Sequence, residues 1–309
     1  IETPDDVDVA IYEMGAGKRD DIAYLTSIAR PHVALVNNVA PAHLERMQSL
    51  MGIAETKGAI YEALPYDGTA VINADDAFSP YFANRAQGRR VLRFGLEASA
   101  DVTARDIACG DEESRFTLVV PGASIGVRLP LPGRHNIANA LAASSIALAL
   151  GVPLDTIAAA LSEAEPVKGR LVRHRLANGA MLIDDSYNAN PGSLNAAIDT
   201  LAAAAGESWL VLGDMRELGG DAEALHAEAG RRARRAGIAR VYAIGPLSRA
   251  AAEAFGEGGR HFQNHGALVD ALRVDLHAGV RVLVKGSRGS AMDRVVDALL
   301  PETGGHDAA

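Results

Sequence analysis

The chain has 309 residues, 48% of them hydrophobic and 22% charged, which suits two cores at roughly 100 to 200 residues per domain. Its 39 acidic residues outnumber 30 basic ones for a net charge of -9, which, with no basic cluster apart from one short run, argues against a nucleic-acid partner. A single cysteine, Cys109, excludes an intramolecular disulfide and any multi-cysteine metal site and fits a reducing cytoplasm; no apolar run approaches the ~20 residues of a membrane span.

The opening "IETPDDVDVAIYEMGAG" has no initiator Met and runs almost at once into a strand pattern, so the chain is expected to begin partway through a domain. "VDVAIYEM" and "HVALVNNV" read as buried strands, "SLMGIAETKGAIYEAL" as a helix, and "TAVINADD" and "RVLRFG" as continuing strands of a mostly parallel sheet. From 100 to 132, "DVTARDIA", "RFTLVV" and "SIGVRLPL" alternate and are broken by Gly and Pro, the pattern of an antiparallel insertion. Helices are predicted over 136–150 and 154–164, the second with Pro153 at its start.

Near "EPVKGRLVRH" the helical pattern stops and a second α/β series begins. Strands at "AMLIDDSY", "SWLVLGDM", "RVYAIG" and "RVLVKGS" alternate with helices over 193–205, 221–236, 246–255, 266–276 and 291–300. This series reads as an open doubly wound sheet, with the boundary near residue 169 or 170. The basic run "RRARR" at 231–235 falls in a helical pattern and reads as a solvated face.

Ligands of open α/β sheets sit beyond the carboxyl ends of the strands, so chemistry is sought there. The first predicted strand ends in Glu13, and the second ends in Asn37 and Asn38 and leads to His43. A carboxylate and an imidazole at that edge suit a divalent cation; a helix cap and a loop residue are the plainer alternative. Lys57, on the following helix, either snorkels to solvent or, held in apolar surroundings, has a depressed pKa that lets its neutral amine take up carbon dioxide as a carbamate. "LPGRHNIANALAA" places His135 beside Asn136 and Asn139 at a helix start. Residues three apart share a face, so the two amides suit a heterocycle, while capping by Asn136 fits equally.

In "LIDDSYNANPGS", Asp184 and Asp185 end a buried strand, followed by Tyr187, Asn188 and Asn190. Buried carboxylates need partners, so a ribose diol, a cation or a capped turn all fit. "VLGDMRELG" and "VLVKGSRGSAMD" end two more strands, the latter carrying Lys285, with Ser287, Arg288 and Gly289 leading into a predicted helix, whose N-terminus with an Arg beside it suits a carboxylate or phosphate. These three loops are expected to converge on one sheet edge.

"EMGA", "NNVAPAHLE" with "AETKG", "LPGRHNIANALAA", "KGR", "DDSYNANPGS", "LGDMRELG" and "VLVKGSRG", in that order along nearly the whole chain, closely resemble the Mur ligases. The resemblance implies a cytoplasmic, monomeric, ATP-dependent amide ligase of peptidoglycan precursor synthesis, proceeding through an acyl phosphate. It implies magnesium held by Glu13, His43 and a carbamylated Lys57, with Arg170 near the phosphates. His135, Asn136, Asn139, Asp185 and Asn190 would serve the nucleotide. Asp184, Tyr187, Asn188, Lys285, Ser287 and Arg288 would face the incoming amine. Within the family the loops look most like the type that joins D-alanyl-D-alanine to UDP-N-acetylmuramoyl-tripeptide, since no Asp-Asn-Pro-Arg segment occurs.

The family's Gly-x-x-x-x-Gly-Lys-Thr/Ser loop is absent from the sequence, as is a domain for the UDP moiety. The expected organisation is therefore a truncated central ATPase domain over 1–169 and a C-terminal domain over 170–309, which alone should not ligate at a useful rate. A non-catalytic nucleotide-binding module is the alternative of a different class. A folylpolyglutamate synthase relative is a third, against which "EMGA" and "DDSYNANPGS" speak.

Overall fold

Three short parallel strands, β1 (Val33–Val36), β2 (Thr69–Asn73) and β3 (Arg90–Phe94), lie side by side in sequence order in the computed structural model. That model describes residues 3–4, 6–40, 47, 49–110, 112–203 and 206–300. Period-2 alternation sends β2 side chains to opposite faces. Ala70 and Ile72 pack on Ala54, Tyr61 and Phe82, which come from α2 (Leu50–Glu62) and α3 (Ser79–Arg85). Val71 packs with Leu92 on the other face, against α4 (Arg134–Ala149), α5 (Leu154–Ser162) and a second sheet. That sheet is the expected antiparallel insertion, β4 (Thr103–Cys109), β5 (Ser114–Val120) and β6 (Ala123–Leu129), paired in order.

One expectation fails here. "VDVAIYEM" is no buried strand: it forms no regular element, and Val7, Val9 and Ile11 are 45%, 54% and 83% exposed. A parallel strand needs a paired neighbour and cover on both faces; among the described residues β1 pairs only with β2. Helix α1 (Asp21–Ala29), which sequence periodicity missed, follows this segment, with the Asp21 carboxylate accepting the Gly17 and Lys18 N–H groups at 3.0 and 2.9 Å.

The chain divides into two compact units, Ile1–Glu165 and Pro166–Ala309. In the second, six strands are ordered β11-β10-β9-β12-β8-β7: β7 (Val172–Arg175), β8 (Met181–Asp185), β9 (Glu207–Gly213), β10 (Arg240–Ile244), β11 (Gly259–Phe262) and β12 (Val280–Lys285). All pairs are parallel except β7 with β8. The helices are α6 (Pro191–Ala203), α7 (Ala222–Arg235), α8 (Arg249–Phe255), α9 (His265–Asp275) and α10 (Asp293–Leu299).

Both sheet faces are covered, as doubly winding requires. Leu210, Leu212 and Leu283 meet Leu194 and Ile198 of α6 and Ala233 of α7, while Trp209, Val211 and Val282 meet Leu268 and Leu272 of α9 and Val296 of α10. The "RRARR" run lies on α7 with Arg231 and Arg235 paired to Glu228 and Arg232 to Asp199, a solvated face as expected. Because β12 inserts between β8 and β9, the strand order reverses there, and that switch point is where such sheets bind ligands.

Candidate functional site

In the first unit the carboxyl edge of β1 is built by side chains reaching its backbone. Asn73 Nδ2 donates to the Asn37 carbonyl and Lys57 Nζ to the Asn38 carbonyl, each at 2.9 Å. Asp76 fixes the next residue by accepting the Val39 N–H at 2.7 Å and caps its own turn through the Phe78 N–H at 2.8 Å. The Lys57 side chain is half-buried on α2, whose N-terminus is capped by Ser49 accepting the Gly52 N–H at 3.0 Å. Burial holds the Lys57 amine below the ordinary lysine range, and the Asp76 carboxylate partly offsets the effect.

The same edge receives α4. Asn37 Nδ2 donates to Asn139 Oδ1 at 3.4 Å, while Asn136 turns its amide back to the Pro132 carbonyl at 2.8 Å. Asn139 is exposed and Asn136 half-buried, with His135 exposed beside them. Buried Ser114 fixes the loop before the helix, accepting the Gly133 N–H at 3.0 Å and donating to the Leu131 carbonyl at 2.9 Å. Gly133 has φ +95, and a Cβ there would stand 2.8 Å from the His135 imidazole.

Glu13 is exposed on the irregular opening segment, and His43 lies outside the described residues. Among the described residues no three His, Cys, Asp or Glu side chains gather to hold a metal ion.

In the second unit the three predicted loops do converge, at the adjacent ends of β8, β12 and β9. Asp184 and Asp185, neighbours in sequence, face opposite sides of the sheet and do different things. Asp184 is 1% exposed; one oxygen accepts the Gly169 N–H at 3.0 Å, the other the Ser186 N–H at 3.1 Å and hydroxyl at 2.6 Å. Its carboxylate is thus committed to the chain's own donors. Asp185 meets Lys285 Nζ at 2.5 Å, and that ammonium also donates to the Asn188 carbonyl at 3.0 Å.

Other sequence candidates are likewise placed. Asn190 caps α6, accepting the Ser193 N–H at 2.9 Å while Ser193 Oγ accepts the Asn190 N–H at 3.1 Å. The Asn188 side chain accepts the Ala189 N–H at 2.8 Å. The Arg170 guanidinium lies 4.4 Å from the Tyr187 ring centroid, a cation–π pair on a residue that is 43% exposed. Ser287 donates to the Ala189 carbonyl at 3.2 Å and accepts the Arg216 N–H at 2.8 Å. Arg288 is exposed as the first residue of a 3₁₀ turn, Arg288–Ser290, that leads toward α10 at Asp293, and it pairs with Asp293 at 3.3 Å.

Two residues that sequence reasoning did not single out hold the β9 loop. Asp214 accepts the Leu247 and Ser248 N–H groups at 3.1 and 2.8 Å, and its carbonyl accepts from the Ser287 N–H and Ser290 hydroxyl, each at 2.9 Å. His226, fully buried on α7, accepts the Met215 N–H on Nε2 at 2.8 Å and donates from Nδ1 to the Ala222 carbonyl at 2.6 Å. Burial lowers its pKa, against smaller raising contributions from the Ala222 hydrogen bond and Asp214, so the neutral tautomer with Nδ1–H satisfies both contacts. Its only local signal was a histidine in an Ala-rich helix.

Two family models match the chain: a Mur ligase middle domain over residues 2–147 and a Mur ligase glutamate ligase domain over 169–288. The UDP-N-acetylmuramoyl-tripeptide--D-alanyl-D-alanine ligase of Escherichia coli (strain K12) is 45% identical over 295 residues, 94% of this chain and 65% of that protein. A crystal structure of MurF from Acinetobacter baumannii superposes with a TM-score of 0.84 at 33% identity, covering 92% of this chain and 63% of that one. MurF ligase from Thermotoga maritima, solved in complex with ADP, gives 0.79 at 26%, covering 93% and 65%. The chain thus spans just under two thirds of the length of these relatives.

Proposed function

This chain belongs to the Mur ligase family, and from that premise we propose that it forms the central and C-terminal parts of a cytoplasmic ligase joining D-alanyl-D-alanine to UDP-N-acetylmuramoyl-tripeptide. The observation that carries the reading is the Lys57 amine: held on the Asn38 carbonyl at 2.9 Å, with burial lowering its proton affinity. It stands at the carboxyl end of a parallel strand, where α/β sheets take ligands. The name of the E. coli relative supports the substrates. No helix among the described residues is long and apolar enough to cross a membrane.

In this reading the terminal carboxylate of the tripeptide is activated as an acyl phosphate, with the phosphoryl group supplied by ATP. The amine of the dipeptide attacks the acyl carbon; the new C–N bond forms as the C–O bond to phosphate breaks, and the amine loses a proton. Burial that lowers the lysine's pKa favours loss of its proton; the free amine takes up carbon dioxide, giving up one further proton as the carbamate N–C bond forms, and that is the role proposed for Lys57. The proposed magnesium ligands are Glu13, His43 and the Lys57 carbamate. The described donors do not gather into a three-ligand cluster.

The nucleotide side is assigned to His135, Asn136 and Asn139 in the first unit and to Asp185, Asn190 and Arg170 in the second. Exposed Asn139 beside Asn37 presents amide groups of the kind a purine edge pairs with. For the dipeptide carboxylate, Lys285 is the proposed anchor: an ammonium has three donors, and two are placed on Asp185 and Asn188. Ser287, Arg288, Tyr187 and Asn188 would line its surroundings, with Asp184 acting through the backbone it holds.

The test joins the chain to the upstream part its longer relatives carry and supplies ATP, magnesium and UDP-N-acetylmuramoyl-tripeptide. Phosphate is expected only when D-alanyl-D-alanine is added. Turnover with diaminopimelate in its place would refute the substrate assignment.

A further inference from the structure

A phenol in the middle of a core needs a reason, because burying a hydroxyl costs stability unless it is fully hydrogen-bonded. Tyr61 is completely buried on α2, its ring tilted against Phe82 at 5.6 Å between centroids. Its hydroxyl accepts the Val36 N–H at 2.9 Å and donates to the Val71 carbonyl at 2.7 Å. Val36 pairs with Ile72 at the end of the parallel β1–β2 register, and in such a ladder the Val36 N–H faces the Val71 carbonyl. One side-chain oxygen therefore joins a helix to both strands at their last rung.

Lys57 precedes Tyr61 by one helical turn and uses the same face of α2. Four residues of helix rise about 6 Å, and two residues of strand advance about 6.6 Å. Tyr61 on Val36 and Lys57 on Asn38 are thus matched steps of a helix running antiparallel to the strand beneath it. Between them Asn73 holds the Asn37 carbonyl at 2.9 Å, so Val36, Asn37 and Asn38 are each fixed by one side chain from α2 or β2. Burial raises the Tyr61 pKa above that of an ordinary phenol, which keeps the donating proton in place.

We propose that Tyr61 is a positioning residue: its hydroxyl pins the last β1–β2 rung to α2 and so sets the Asn38 carbonyl against which the Lys57 amine is oriented. The pin deepens the ligase reading, on which its relevance to turnover rests; the geometry itself does not depend on that reading. A phenylalanine at the position would keep the ring packing on Phe82 and lose only the pin.

The test is Tyr61→Phe, made in the 309-residue chain for spectroscopy and in the upstream-restored protein for kinetics. Amide hydrogen exchange at Val39 is expected to rise about tenfold, with Ala34 unchanged, because the segment after the rung opens more readily. The Asn38 carbonyl carbon-13 resonance shifts as its lysine partner is displaced. In the restored enzyme kcat falls about tenfold or more while KM for D-alanyl-D-alanine holds. Val39 exchange and an Asn38 resonance identical to the parent overturn the pin, and so does an unchanged kcat. A parent protein without ligase activity sinks the functional reading instead, leaving the exchange and carbonyl measurements to decide the pin.

Discussion

Lys285 and Asp185 are register partners on adjacent parallel strands, ammonium to carboxylate at 2.5 Å, with 4% and 14% of their side chains exposed. Removing one member of a buried pair leaves the other charge without its partner, at a cost of about 3–5 kcal/mol. Lys285→Met should therefore lower the urea midpoint of the second unit sharply. The Lys285→Met, Asp185→Asn double variant should recover part of that loss, and a double variant as unstable as the sum of the singles would mean that the two groups do not couple.

Asp184 has a different task from its neighbour. Asp184→Ala strands the Gly169 and Ser186 donors and is expected to cost about 2–3 kcal/mol. Limited proteolysis should then cut near Gly169 faster than in the parent. Unchanged cleavage there would show that the 169 loop is held by other contacts.

His226 makes stability depend on pH. Its folded-state pKa lies below the ordinary 6.5, so the unfolded chain binds the proton more tightly. The contribution is complete above about pH 6.5 and erodes as pH falls toward the folded-state value. Urea midpoints at about pH 7.5 and about pH 5 should differ less in His226→Gln, whose amide oxygen can still accept the Met215 N–H without titrating. His226→Leu, which leaves that buried N–H without an acceptor, should cost about 1–3 kcal/mol at either pH. An identical pH slope in the glutamine variant would remove His226 from the acid response.

Lys57→Ala should abolish ligation in the upstream-restored protein. Bicarbonate should not restore it, whereas small carboxylates, able to stand where the carbamate oxygens would, should do so in part. Parental activity in the alanine variant would reduce Lys57 to a structural residue.

The second unit was legible in its sequence because Val- and Ile-rich runs ending in small or charged loops mark strands buried on both faces. Strands β7 and β11 escaped notice: "VRHR" and "GRHF" are four-residue edge strands with half-exposed or exposed Arg and His, which read as loops. The opposite error, at "VDVAIYEM", came from a genuine apolar alternation that no described neighbour pairs with. At the site, spacing brought the right loops together but could not separate Asp184 from Asp185. Their roles diverge only because the strand turns them to opposite faces. The tie from His226 to Met215 spans a strand-to-helix turn, and no local pattern encodes it.

The most direct test of amide formation through an activated carboxylate follows oxygen. The upstream-restored protein is given UDP-N-acetylmuramoyl-tripeptide labelled with oxygen-18 in its terminal carboxylate, together with unlabelled ATP, magnesium and D-alanyl-D-alanine. A single label carried into each released phosphate is expected, since the C–O bond that breaks is the one to the acyl phosphate oxygen. Phosphate released without label would contradict the proposed chemistry.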